Sequence, residues 1–221
     1  MVFMIVFMLL YFFSYTIYSH KFEDKNIKLY ANFSMSENIA FQNSFKKTKE
    51  KLRKDDLYFD NYKVKVHIVE SNLLFSIHRI FMDAVAVNIV NSIFINKNKL
   101  LKNHYIFEEI IHEVIHTFQS EKYGGWLTYR FNIPYWVLEG YPVYVSRKDL
   151  SRNHSKFMKY CSKQSFHNLS IPDTYVLNGL LVKHAIEKLN KTVDELHLGK
   201  VDYAEVFQSL LKEYSITKEK K

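Results

Sequence analysis

Hydrophobic and polar residues follow two different rhythms along the chain. Tyr62-Lys-Val-Lys-Val-His-Ile-Val69 alternates strictly, with Tyr62, Val64, Val66 and Ile68 facing one way, which predicts a half-buried strand. Ala84-Val-Ala-Val-Asn-Ile-Val90 and Ser92-Ile-Phe-Ile-Asn96 are two further β-rich pieces, read as adjacent short strands of the same sheet. Residues 36 to 53 read as a helix with Ile39, Phe41, Phe45 and Leu52 partly on one side, and Phe75 to Met82 as a short one. From Ile106 the period becomes helical: Phe107, Ile110, Ile111, Val114, Ile115 and Phe118 make a broad apolar face. Asn103 is placed to cap that helix and Gly124-Gly125 to stop it. The rest is helical. Leu177, Leu181, Ala185 and Leu189 mark one helix, Thr192-Val-Asp-Glu195 is a capping box, and Asp202-Tyr-Ala-Glu205 opens a last helix. The pattern predicts an α+β fold: a small mixed sheet packed on the helix that begins near Ile106, followed by a helical C-terminal part.

The front of the chain stands apart. Met1 to Ser19 carries no charged side chain, and Val2 to Phe13 is continuously apolar. That length suits a membrane span or the core of a signal peptide. The expected organisation is an N-terminal hydrophobic anchor or signal segment over 1–20 and a single domain over 21–221. An uncleaved anchor is favoured, with the domain outside the cytoplasm. Lys21, Lys25 and Lys28 follow the apolar run and, by the positive-inside rule, pull the other way.

Composition adds three points. With 5 Gly and 3 Pro in 221 residues, no low-complexity linker is expected. The net charge of +8 comes from lysines spread along the chain, so nucleic acid is not expected as a partner, and an anionic lipid surface suits the charge better. The single Cys161 excludes an intramolecular disulfide.

Across the apolar helix runs a polar stripe: Glu109, His112, Glu113 and His116, spaced i, i+3, i+4, i+7. Burying such groups unpaired is costly, so the stripe needs a reason. His112-Glu-Val-Ile-His116 supplies one, because histidines four apart lie one turn above each other and reach a single metal ion. Glu113 is then the candidate general base, holding a water on the metal. Chance alone would place HExxH in roughly 3 of 100 chains of this composition, so the setting matters. A catalytic zinc takes three protein ligands and keeps one open position. Glu139, 23 positions after His116 on a second predicted helix, is the best third candidate, against a reading as an ordinary surface residue.

Ile133-Pro-Tyr-Trp-Val-Leu-Glu-Gly-Tyr-Pro-Val-Tyr144, following HEVIH at this distance, resembles the W-x-x-E-G-x-A-x-Y signature of the gluzincins, in particular the peptidase MA-like domains. The resemblance covers residues 30 to 214 and is strongest from Ile110 to Tyr144. It implies a zincin-like fold and a zinc metallopeptidase acting on a peptide or protein. It implies one zinc per chain, held by His112, His116 and Glu139, with Glu113 as base and Tyr144 matching the family's tyrosine. One position departs: the family's alanine is Pro142 here, which predicts that the helix kinks or ends there. Tyr141, Tyr144 and Tyr175 are the candidate donors to an oxyanion, and Glu109 or Asp149 the candidate partners of the histidine ligands. The strand Ser92–Asn96 is a candidate edge for pairing with an extended peptide. His67, His184, His197 and the other histidines show no ligand spacing and read as ordinary. Two other functions remain open: a catalytically inactive zincin-fold binding module, and a membrane-surface interaction protein whose HExxH is chance.

Overall fold

The computed structural model describes residues 20–23, 25–31, 43, 46–69, 86–89, 92–96, 106–125, 128–146, 150 and 171–219. Asn103, Asp149, Phe75–Met82 and the apolar segment 1–19 lie outside them. No helix among the described residues is long and apolar enough to cross a membrane. The chain forms two compact units, Met1–Phe118 and Gln119–Lys221. It is α+β and mostly helical.

The first unit holds a five-stranded sheet built from β1 (His20–Glu23), β2 (Ile27–Tyr30), β3 (Val64–Val69), β4 (Ala86–Ile89) and β5 (Ser92–Asn96). The spatial order is β1-β2-β3-β5-β4. The middle three strands are parallel, and each outer strand pairs antiparallel to its neighbour. Ile27 lies opposite Val64, and Val66 opposite Ile93. Strict alternation in β3 predicts one wet face, and its second half departs from that: His67, Ile68 and Val69 are all buried. A ring stack explains the buried histidine. His67 is opposite both Tyr30 and Phe94, and its ring lies 4.8 Å from the one and 4.7 Å from the other, nearly parallel to each. Such cross-strand pairs fix register. Asn26 fixes it again. Its side chain donates to the carbonyls of Asp60 and Tyr62, at 2.9 and 3.0 Å, while its own carbonyl accepts from Val64 N–H.

A predicted edge is not an edge here. β5 lies between β3 and β4, so both its ladders are occupied. Ser92–Asn96 therefore has no free side for an extended peptide.

The helix of HEVIH, α1 (Ile106–Lys122), belongs to both units. In the first, Phe118 takes edge-on contacts from Tyr58, Phe59 and Tyr62, all within 6.0 Å between centroids. Such pairs add to the burial of the rings themselves. Beyond Lys122 the chain turns at Gly124 and Gly125, both with positive φ, and Gly125 N–H closes the helix end on the Ser120 carbonyl.

The second unit adds α2 (Tyr129–Asn132), α3 (Tyr135–Ser146), α4 (Ile171–Glu187), α5 (Val193–His197) and α6 (Tyr203–Glu219). α3 and α4 pack closely, and glycines on both make this possible. A Cβ on Gly140 would meet the Asn178 carbonyl oxygen at 2.5 Å, and one on Gly179 would meet Val143 Cγ1 at 2.6 Å. Leu177, Leu180, Leu181 and Ala185 of α4 bury with Val137, Tyr141 and Val143 of α3. The box that opens α5 is complete: Glu195 N–H donates to Thr192 Oγ1, and Thr192 N–H to the Glu195 carboxylate. Pro142 neither ends α3 nor splits it; the helix continues to Ser146.

Candidate metal centre

α1 places the polar stripe as its spacing requires. The ring of His112 stands edge-on to that of His116, with centroids 4.8 Å apart, and their Nε2 atoms are separated by 3.2 Å. His112 is half-buried, while His116 and Glu113 are 5 % and 8 % exposed. Glu139, on the second turn of α3, is half-buried. One ligand atom from each of His112, His116 and Glu139 lies within 4.8 Å of the other two, so the three can hold a metal ion. Two imidazoles and a carboxylate are donors that a metal ion such as zinc can use. Two nitrogens bound tetrahedrally at 2.0–2.1 Å stand about 3.3 Å apart, close to the observed separation of the Nε2 atoms.

Around Glu139 the tyrosines separate by environment. Tyr141 is buried and lies edge-on to His197, so it is part of the packed interior. Tyr144 is half-buried, 6.2 Å from Tyr141 between centroids. Tyr175 of α4 hydrogen-bonds to Tyr135, which lies one turn before Glu139 on the same face of α3. Burial raises the Tyr135 pKa, the Glu139 carboxylate raises it further, and the bond from Tyr175 opposes both. Tyr135 was not legible as a site residue, although its i−4 spacing from Glu139 was the available signal.

Two more polar constellations were read as ordinary histidines. His197, 1 % exposed, hydrogen-bonds from Nδ1 to the Val193 carbonyl at 2.7 Å and stacks on Tyr123 at 4.6 Å. Its Nε2 lies 3.1 Å from Gln119 Nε2. Burial pushes its pKa from 6.5 down to about 4; Lys122 acts in the same direction, and the Val193 carbonyl and Asp194 oppose it. On α4 and α6, Ser209 Oγ, His184 and the Glu213 carboxylate form a chain with links of 2.9 and 3.0 Å. That order resembles a nucleophilic triad. Ser209 lies inside α6, however, where backbone N–H groups are committed to the helix and none is left to bind an oxyanion. Burial lowers the His184 pKa, against the pull of Glu213. The chain is a tie between two helices.

Comparison with family models, with curated proteins and with solved structures found no match.

Proposed function

We propose that this protein is a zinc-dependent metallopeptidase of gluzincin type, with His112, His116 and Glu139 as ligands and Glu113 as general base. The observation that carries the reading is the convergence of Glu139 on the histidine pair, from a position 23 residues beyond His116. A spurious HExxH gives no reason for a third ligand to arrive. The buried setting of Glu113 and His116 supports it too, since such groups are retained where they have work to do.

Held by His112, His116 and Glu139, zinc would supply Lewis acidity. Glu113, the residue after a ligand, takes the proton of the attacking water and delivers it to the departing amine. Tyr135, which feels the Glu139 carboxylate and accepts from Tyr175, keeps its own O–H to donate to an oxyanion, whereas Tyr141 is buried, and a phenol does so without adding charge. Tyr144 remains the family's counterpart by resemblance. The substrate class is a peptide or protein, and the apolar segment 1–19 would hold the enzyme at a membrane, facing out of the cytoplasm.

The test is metal content. Full-length protein purified under metal-replete conditions should hold close to one zinc per chain, and His116→Ala should hold none. Absence of zinc from the wild type sinks the reading. Glu113→Gln should keep the zinc and lose hydrolysis of a peptide library. Zinc without hydrolysis in the wild type favours the inactive binding module.

A further inference from the structure

α3 continues past Pro142, and something must compensate. In an α-helix the N–H of residue 142 would bond to the carbonyl of residue 138. Proline has no N–H, so the Leu138 carbonyl is left without its helical donor. Leu138 is 5 % exposed, and its carbonyl receives a side chain instead: Gln119 Nε2 donates to it at 3.2 Å. Gln119 is itself fully buried, one turn beyond His116 on α1, and Leu138 immediately precedes Glu139.

The second hydrogen of the Gln119 amide is used as well. His197 donates from Nδ1 to Val193, so its Nε2 carries a lone pair, and that lone pair faces Gln119 Nε2 at 3.1 Å. Both donors of one amide are thus aimed, one at α3 and one at α5. Asn or Ser in place of Gln119 would be too short to reach both.

We propose that Gln119 is a positioning residue for Glu139: it binds the carbonyl that Pro142 leaves open, ties α3 to the turn of α1 that follows His116, and is held in that orientation by His197. The proposal rests on the metal centre described above. It assigns a purpose to Pro142, the one departure from the gluzincin pattern, since a residue with an N–H there would compete for the same carbonyl.

The test separates positioning from mere folding. Zinc affinity, by titration against a chromophoric chelator, and urea unfolding of the zinc-free protein are measured for the wild type, Gln119→Met, Pro142→Ala and the double variant. Gln119→Met should weaken zinc binding about 10–100-fold, as loss of a group orienting a ligand does. It should also lower the unfolding midpoint. Adding Pro142→Ala returns a backbone donor to Leu138, so the midpoint recovers while the zinc affinity does not. If affinity recovers together with stability, or Gln119→Met binds zinc as tightly as the wild type, the positioning role is overturned. The double variant keeps the test readable if Gln119→Met alone fails to fold. A wild type without zinc removes the proposed function itself, an outcome distinct from an unaffected Gln119→Met.

Discussion

Protonating His197 should undo part of the second unit, and the size of the effect follows from its surroundings. The ring is 1 % exposed, stacked on Tyr123, and committed at both nitrogens. A proton on Nε2 would place a donor against the Gln119 amide, itself a donor, in a site with no access to water. The pKa falls from 6.5 to about 4 on folding. The folded state therefore binds the proton more weakly than the unfolded chain does. Stability is full above pH 6.5, declines as the pH drops towards 4, and loses nothing more from this group below that. A difference of about 2.5 units at 1.36 kcal/mol each is worth about 3 kcal/mol, a large share of the ~5–15 kcal/mol that holds a domain together. Urea unfolding at a series of pH values across this window should give a slope approaching about 1.4 kcal/mol per pH unit at its steepest. His184 titrates with the same sign, because burial lowers its pKa too. The quantity to read is therefore the difference between the wild type and His197→Gln, which removes one titration and leaves the other. Parallel curves for the two proteins through the window would refute the assignment.

Two further outcomes concern packing and capping. Gly140→Ala drives a methyl to 2.5 Å from the Asn178 carbonyl oxygen. It should cost about 1–3 kcal/mol in urea unfolding, because a backbone atom cannot step aside. Thr192→Ala removes both the acceptor for Glu195 N–H and one of the two donors to the Glu195 carboxylate, leaving the backbone N–H of residue 192. A loss of about 0.5–2 kcal/mol is expected, read as a lowered thermal midpoint.

Local period made much of this fold legible. The alternation in β3, the helical face of α1, its glycine stop and the box at Thr192 each need only a few neighbouring residues to be read. Glu139 was singled out as a candidate because its motif is also local, and its distance to the histidines had to come from the structure. What escaped depends on partners far away in sequence. β1 and β2 are four residues each, too short for a period to stand out. Nothing in Ser92–Asn96 tells that a parallel neighbour lies on one side and an antiparallel one on the other. Gln119 and His197 are 78 positions apart, and each alone is a polar residue on a helix. Pro142 does not end its helix: it strands the carbonyl one turn earlier, and a donor arrives there from α1.

The stranded carbonyl has a consequence for how the molecule is made. α3 lacks one rung of its own ladder, so as an isolated segment it is a poorer helix than its length suggests. It becomes complete only when the last turns of α1 dock with Gln119 already in place. The contact that supplies the missing rung of α3 is thus the same one that fixes α3 against the end of α1.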